Sequence, residues 1–204
     1  MTKTILYSVS ALLLITGCIT VNVPLGGSET APASQWTIDW DKPENMRTPA
    51  ASSAIRVRDL EASGSYQLSG MVVRHADGTI MESSDNRWAA RPGAMLSEML
   101  ARDLMAEGSF PAVFRTAATV NNLLTVEGYV REFGATQVDS ATWVAVFDVD
   151  VTLLGDRGST VIMQRNYRYE RLMPAPGFSE MVEQMERLSS RWSEEVREDI
   201  RNSI

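Results

Sequence analysis

The sequence predicts an α/β fold: a single domain in which a mixed, largely antiparallel sheet is packed by two principal helices. Three observations indicate this class. A proline-started amphipathic segment follows residue 91, alternating apolar and polar residues fill much of 124–172, and an apolar stripe at helical spacing covers 178–200. The composition agrees, because 44% apolar and 22% charged residues are typical of globular proteins. The expected element order is ββ(ββ)αβββα.

The first 17 residues have the pattern of a signal peptide. Lys3 supplies the positive charge, and an apolar run from Ile5 to Ile15 has the length of a signal h-region. That run is too short to span a bilayer, which takes roughly 20 apolar residues. Residues 15–18 read Ile-Thr-Gly-Cys and resemble the bacterial lipobox, in which the signal is cleaved before an acylated cysteine. We therefore predict lipidation of Cys18, the only cysteine in the chain.

Cleavage before Cys18 divides the chain into three predicted parts. Residues 1–17 are the signal peptide, residues 18–34 are the lipidated N-terminus and a flexible tether, and residues 35–204 form the folded domain. The tether is inferred from Val21–Ser34, which is rich in Gly, Pro, Ser, Thr and Ala. In similar lipoproteins an aspartate after the cysteine favours the inner membrane. Ile19 stands here, so we expect the periplasmic face of the outer membrane.

The domain is predicted to begin with two strands. Trp36–Trp40 alternates apolar and polar side chains and is expected to form the first. A loop rich in Pro, Ala and Ser over Lys42–Ser53 separates it from the second, Ile55–Leu60. In a regular strand this second segment would place Leu60 on the same face as two arginines, so that face would mix apolar and charged side chains.

A hairpin is predicted next. Leu68–Val73 and Thr79–Met81 flank Asp77-Gly78, which is a strong hairpin-turn signal. His75, the only histidine in the chain, lies beside this turn. No second histidine or cysteine is near it, so we interpret it as a solvent-facing turn residue and expect no metal site.

The stretch Arg87–Phe114 predicts a short strand, a helix and a second strand. Pro92 suits the first helical turn, and Gly108 offers the left-handed residue that commonly ends a helix. A core-facing apolar stripe is formed by Leu96, Met99, Leu100 and Leu104.

The C-terminal half is predicted to contain three strands, Leu124–Glu132, Trp143–Leu154 and Thr160–Leu172, of which the last two form a long hairpin. Asp148 and Asp150 lie two residues apart on one strand face. Paired carboxylates can perform acid–base catalysis, but we interpret these two as solvated edge charges.

The last predicted element is an amphipathic helix. Its stripe consists of Phe178, Met181, Val182, Met185, Leu188, Trp192, Val196 and Ile200. The helix is expected to start near Gly177 or Ser179. A heptad-like seam could join a second chain as a homo-oligomer, but it spans only about three heptads, so packing on the sheet is predicted.

Several function classes find no support in these residues. A formal charge of −7, without a cluster of Lys or Arg, argues against nucleic-acid binding. One histidine and one lipidated cysteine exclude the usual Ser/His/Asp and Cys/His arrangements, and no glycine loop has a phosphate-binding pattern. We therefore expect no catalytic, cofactor-binding or metal-binding residues, and predict that the protein is not an enzyme.

A resemblance to a known family rests on the stretch that opens the first helix. The residues that carry it are Arg87, Trp88, Ala89, Pro92, Met95, Leu96, Leu100, Leu104, Gly108, Phe110 and Val113. Together with the lipobox, this pattern resembles the ABC-type transport auxiliary lipoprotein family over about residues 36–200. Ala90 and Arg91 stand where that family often has prolines or a carboxylate.

The resemblance implies a fold similar to the N-terminal domain of the periplasmic TolB protein. It also implies a lipid-anchored docking or receiving component of a transporter that moves phospholipid between the two membranes. The implied partners are a mammalian-cell-entry (MCE) domain protein and its ABC permease and ATPase. Arg87 and Trp88 are then expected to serve structure rather than partner contact.

Two other functions are compatible with the same residues. The first is a structural lipoprotein of envelope assembly that uses the acidic domain as a protein-interaction module. The second is an envelope hydrolase that uses a carboxylate pair.

Overall fold

The computed structural model describes residues 32–39 and 51–204, which belong to one compact unit, Pro32–Ile204. The predicted signal peptide, Cys18, Ile19, most of the predicted tether, Trp40 and residues 42–50 of the predicted loop lie outside the described residues.

The described chain contains nine strands and two α-helices. In order they are β1 (Ser34–Trp36), β2 (Ala54–Val57), β3 (Glu61–Ala62), β4 (Gly70–Arg74), β5 (Ile80–Trp88), α1 (Pro92–Glu107), β6 (Val113–Phe114), β7 (Leu123–Gln137), β8 (Trp143–Gly155), β9 (Thr160–Met173) and α2 (Phe178–Asn202). Short 3₁₀ turns cover 64–66 and 156–158. The predicted α/β class with two principal helices is confirmed.

The sheet is organised along β7. One edge of β7 pairs antiparallel with β8, and β8 pairs antiparallel with β9. The other edge receives three short parallel strands, with β2 at its start, β3 in the middle and β4 near its end. β5 is antiparallel to β4, β1 is parallel to β5, and β6 is parallel to β2. The sheet is therefore mixed, with its long pairings antiparallel.

Both helices pack on one face of the sheet, and the core lies between. Along β8, alternate residues from Ala145 to Leu153 are fully buried on this face. Phe147 is at the centre, with ring centroids 5.8 Å from those of Phe133, Tyr169 and Trp192. Burying a large apolar side chain contributes about 1.5–3 kcal/mol, so this row supplies much of the driving force for folding.

The helix α2 begins and packs as its sequence pattern predicts. Gly177 precedes its first residue, and of the stripe all but Phe178 is buried against the sheet and α1. The predicted hairpins are also present: Gly78 has the positive φ of 87° that its turn requires, and β8 pairs with β9 along almost their whole length.

Several strand boundaries differ from prediction. β1 ends at Trp36 rather than running through Ile38, and it includes Ser34, which had been assigned to the tether. The strand predicted over Ile55–Leu60 stops at Val57. After this break Leu60 turns inward and is only 5% exposed, so it does not share a strand face with the arginines. β5 runs to Trp88, well beyond the predicted Met81.

The interpretation of Asp148 and Asp150 as solvated edge charges is wrong. They lie on β8, an inner strand, on the face away from the helices. Asn166 Nδ2 donates to both carboxylates at 2.7 and 2.9 Å, Arg168 donates to Asp148 at 2.8 Å, and Arg131 donates to Asp150 at 2.6 Å. Asp148 is buried by these partners. The pair thus belongs to a structural ion network.

The prediction that His75 faces solvent is also wrong in part. Its ring is half-buried and lies edge-on to Trp143, with the centroids 6.0 Å apart. Its Nδ1 is 3.3 Å from Oε1 of Gln137. The turn therefore packs this imidazole against the ends of β7 and β8.

Candidate functional site

The residues singled out from sequence lie where β5 passes into α1. Trp88 is buried at the end of β5, and its ring meets that of Phe133 at a centroid distance of 5.2 Å. Arg87 is exposed, and its Nε donates to the Ser84 carbonyl at 3.4 Å. The amide of exposed Ala89 donates to the Trp36 carbonyl at 2.6 Å, which ties β1 to this junction.

Helix α1 starts at Pro92 and is held against the loop before β3. A Cβ on Gly93 would lie 2.0 Å from the Leu60 carbonyl oxygen, so only glycine permits this approach. Ser97 Oγ accepts from the Leu60 amide at 2.9 Å and donates to the Gly93 carbonyl at 2.6 Å. These contacts fix the start of the helix relative to the sheet.

The rest of α1 follows its sequence pattern. Its core face is fully buried at Leu96, Leu100 and Leu104. Gly108 ends the helix with a left-handed φ of 70°, and its amide donates to the Leu104 carbonyl.

An open groove of about 770 Å³, hereafter the α1 groove, lies beside this helix start. Leu60, Tyr66, Leu68, Arg91, Ala94 and Tyr129 are among the residues that line it. Leu68 is 60% exposed and Tyr129 38% exposed, so two large apolar side chains are presented to solvent at one place. Asp59 and Glu61 lie at the same surface. Apolar side chains with a charged rim are typical of a surface that contacts another molecule.

Tyr66 closes one side of the α1 groove as a neutral phenol. Its burial, and next the charge of Glu132, raise its pKa to about 12, against a smaller lowering by Arg74. At neutral pH this hydroxyl stays protonated, so it can donate a hydrogen bond and does not act as a base.

A second polar cluster, hereafter the α1–α2 seam, lies between the helices and consists of Asp103, Glu107, Ser193, Arg197 and Arg201. Ser193 Oγ donates to Asp103 Oδ2 at the buried end. Glu107 accepts from Arg197 Nη1 at 2.7 Å and from Arg201 Nη1. Each pair joins residues about 90 apart in sequence, so the seam fixes how α1 and α2 sit against each other.

The buried Glu107 carboxylate is ionised. Burial alone would raise its pKa, but hydrogen bonds from Ser109 and Arg197 and the charge of Arg201 outweigh that effect and lower the pKa below its usual value. Ser109 Oγ donates to Glu107 Oε1 at 2.7 Å. With three donors on one carboxylate, the group is committed to holding structure.

Two kinds of feature are absent from residues 32–39 and 51–204. Neither helix is both long and apolar enough to cross a bilayer. Within those same ranges, no three His, Cys, Asp or Glu side chains are grouped so as to hold a metal ion.

Sequence reasoning did not find the α1 groove or the seam. Leu68, Tyr129 and Arg91 come together only through the pairing of β3 with β7 and the docking of α1. Glu107 offered one local signal, as a carboxylate near the end of a helix, where the helix dipole disfavours a negative charge and a cationic partner is needed.

The family model described as the ABC-type transport auxiliary lipoprotein component matches residues 37–199. The chain belongs to this family. The resemblance first drawn from residues 87–113 is thereby confirmed. Helix α1, the α1 groove and every residue of the seam except Arg201 lie within the matched range.

Solved structures support the fold. A crystal structure of a Xanthomonas campestris protein of the family DUF330 is 17% identical with a TM-score of 0.69, and the match covers 80% of this chain and 92% of that one. A second, of an uncharacterized protein, is 16% identical with a TM-score of 0.64, covering 83% and 99%. A hypothetical protein from Chlamydia trachomatis is 10% identical with a TM-score of 0.50, covering 75% and 98%. Comparison with curated protein sequences gives no match.

Proposed function

We propose that this chain is the non-catalytic docking component of an ABC transporter whose MCE-domain protein carries phospholipid between the inner and outer membranes. An auxiliary role in ABC-type transport follows from family membership. The observation that carries the proposal is that the family match runs from residue 37, directly after β1, to residue 199 within α2, so it covers nearly all of the described domain. MCE partnership and phospholipid as cargo go beyond family membership and are tested by crosslinking and by lipid labelling.

The anchoring part of the proposal rests on Cys18. Acylation there would hold the domain at a membrane, since each buried CH₂ contributes about 0.8 kcal/mol and several chains anchor firmly. Ile19 after the cysteine supports the periplasmic face of the outer membrane. Cells fed a radioactive fatty acid should label the native chain but not the Cys18→Ala variant, and the labelled chain should sediment with outer-membrane vesicles. Label on the variant would overturn the anchor.

A non-catalytic role is supported by the engagement of the buried carboxylates. Asp103 accepts from Ser193, Glu107 is held by two arginines and a serine, and Asp148 is held by Asn166 and Arg168. A general acid or base must be within reach of a substrate proton. These three groups are occupied by protein donors instead.

The α1 groove is proposed as the surface that contacts the MCE protein. Leu68 gives a direct test, because Leu172 on β9 is a matched control: the two leucines are 60% and 63% exposed, and Leu172 lies outside the groove. A photocrosslinking amino acid such as p-benzoylphenylalanine would replace each in the full-length lipoprotein in cells. We expect irradiation to capture an MCE-domain protein from position 68 and at least about tenfold less from position 172.

Three outcomes would contradict this part. Equal capture from both positions would overturn the groove as the contact surface. Capture of envelope-assembly proteins alone would favour a structural lipoprotein, the alternative function. Recovery of no MCE or permease subunit from any exposed position would overturn the MCE partnership.

A further inference from the structure

A pocket of about 500 Å³, hereafter the C-terminal pocket, lies at the end of the domain where both helices end. It is lined by residues that directly precede β2, that follow α1, that begin β7 and that follow α2, among them Ser53, Phe110, Leu124, Ile162, Arg201 and Ile204. The volume falls within the range of about 300–1,000 Å³ that is usual for small-molecule sites. The pocket is separate from the α1 groove, with which it shares no lining residue.

Apolar side chains form the inner wall of the C-terminal pocket, and serines and Arg201 complete its lining. Phe110 and Leu124 belong to the buried core and form its inner side, and half-buried Ile162 packs against that core. Ile204 stands at the rim with about half of its surface exposed. Apolar surface open to water gains about 25 cal/mol for each Å² that a ligand covers. These walls therefore favour a hydrocarbon chain.

One cation is placed at this apolar pocket. Among the described residues that line it, Arg201 has the only charged side chain, and the other polar side chains are serines. Arg201 contacts Glu107 through Nη1, and no contact within the described part of the chain uses its Nε or Nη2. A guanidinium carries five N–H donors in a planar fork that suits phosphate. The pocket thus combines hydrocarbon walls with free guanidinium donors.

Because both helices end at this pocket, binding of a phosphate there depends strongly on Arg201. Ser109 and Ser203 follow the last turns of α1 and α2, where the helix dipoles place partial negative charge. A phosphate entering here would be repelled without the guanidinium in the last turn of α2. The hydroxyls of Ser109 and Ser203 already donate to Glu107 and to the Asp199 carbonyl, so neither can take the place of Arg201 as a phosphate donor.

We propose that the C-terminal pocket binds one acyl chain of a phospholipid, with its phosphate on Arg201. The choice of phospholipid as the ligand class rests on the proposed function, and the location of the binding site rests on the geometry of the pocket. The auxiliary component would then hold cargo itself, rather than only position its partner.

The test uses the purified mature lipoprotein in dodecyl maltoside micelles, whose alkyl chains compete for apolar surface but carry no phosphate. The probe is lysophosphatidylglycerol with a diazirine in its acyl chain. A matched probe is the monoacylglycerol with the same diazirine chain and no phosphate. After irradiation, labelled peptides are located and quantified by mass spectrometry. We expect the phosphate probe to label the segments around Phe110 and Leu124 at least about tenfold more than the matched probe.

Two substitutions test the residues that line the pocket. Arg201→Gln should lower labelling by the phosphate probe to the level of the monoacylglycerol, because a hydrogen bond to a charged group contributes about 1.5–3 kcal/mol, or roughly a tenfold change or more. Arg187→Gln is its control, since that arginine is exposed on the same helix and pairs only with Glu183 among the described contacts. Ser53→Trp should block labelling by filling the pocket while leaving Arg201 in place.

Several results would overturn the proposal. These are equal labelling by the two probes, equal labelling of Arg201→Gln and Arg187→Gln, labelling outside the C-terminal pocket, and no labelling. If Arg201→Gln failed to fold by circular dichroism, Ser53→Trp would decide. If the lipid probe did not label the pocket but position 68 still captured an MCE-domain protein, lipid binding in the pocket alone would be overturned. If the pocket were labelled but no MCE-domain protein were captured, the MCE partnership alone would be overturned.

Discussion

Replacing Glu107 with glutamine removes one charge from the α1–α2 seam and leaves its shape almost unchanged. Arg197 and Arg201 then lose their shared counter-ion while their side chains remain 13% and 28% exposed. Removing one partner of a buried ion pair costs about 3–5 kcal/mol. Arg201 can turn partly to water, so we expect a loss near the lower end, about 3 kcal/mol, from a total stability of about 5–15 kcal/mol.

This loss of stability is measured by urea unfolding of the lipidated chain and of the unlipidated chain, with tryptophan fluorescence as the signal. With a slope of about 2 kcal/mol per molar urea, the midpoint should fall by about 1.5 M without a change in slope. The matched control is Glu183→Gln. That carboxylate pairs with Arg187 on the surface of α2, with both side chains more than half exposed, so its removal should cost only about 0.3–0.5 kcal/mol.

The pH dependence gives a second arm of the same test. Because the folded pKa of Glu107 lies below its unfolded value of 4.5, its charge stabilises the fold fully above pH 4.5, and this contribution is lost as pH falls through the folded pKa. The gap between wild type and Glu107→Gln should therefore be widest near pH 7 and narrow below pH 4.5. Equal midpoints for Glu107→Gln and Glu183→Gln at pH 7, or a gap independent of pH, would refute the reasoning.

Two further substitutions test the packing. Gly93→Ala should lower the free energy of unfolding, measured by thermal unfolding, by about 1–3 kcal/mol because its Cβ would meet the Leu60 carbonyl, although alanine normally favours a helix. Its control is Gly64→Ala, whose Cβ would meet nothing within 4 Å and which should be close to neutral. An equal effect of the two substitutions would contradict the close approach of Gly93 to Leu60. Phe147→Ala should lower the free energy of unfolding, measured by calorimetry, by about 3–5 kcal/mol because three aromatic rings surround Phe147. Tyr129→Ala, at an exposed position, should change it by no more than about 0.5 kcal/mol. Similar losses for the two substitutions would contradict the described core.

The elements best predicted from sequence are those whose signal is periodic and local. The stripe from Phe178 to Ile200 repeats over 25 residues of helix, and the packing of α2 reproduces it. The hairpin of β8 and β9 was equally clear, since both strands alternate and a glycine-containing turn joins them. Pro92 and Gly108 marked the two ends of α1 because each solves a backbone problem that is specific to a helix end.

The failures occur where a non-local contact decides the structure. Residues 82–86 carry no apolar side chain, so nothing local marks them as strand. They extend β5 through pairing with the neighbouring strands β4 and β1. Leu60 turned inward because Gly93 and Ser97 of α1 clamp its backbone. The prediction of Asp148 as an edge charge fails because β8 pairs with β7 as well as with its predicted hairpin partner β9, and no local pattern indicates that second pairing.

The candidate surfaces were unpredictable for the same reason. The α1 groove joins the loop before β4 to the middle of β7, and the seam joins residues about 90 positions apart. Sequence supplied the family, and through it the function class. It could not supply the place on the molecule where a partner or a lipid would bind.

The pairing of three short strands along one edge of β7 also constrains the order in which the chain can fold. β2, β3 and β4 precede β7 by about 50 to 70 residues and have no other long partner, apart from the hairpin of β4 with β5. During synthesis or secretion, they emerge before the strand that must receive them. The sequential hairpins of β7, β8 and β9 close short loops and can form first, whereas the N-terminal strands must wait and pay a larger loop-closure entropy. Since the predicted anchor precedes those late-docking strands, attachment to a membrane would act on the segment of the domain that folds last.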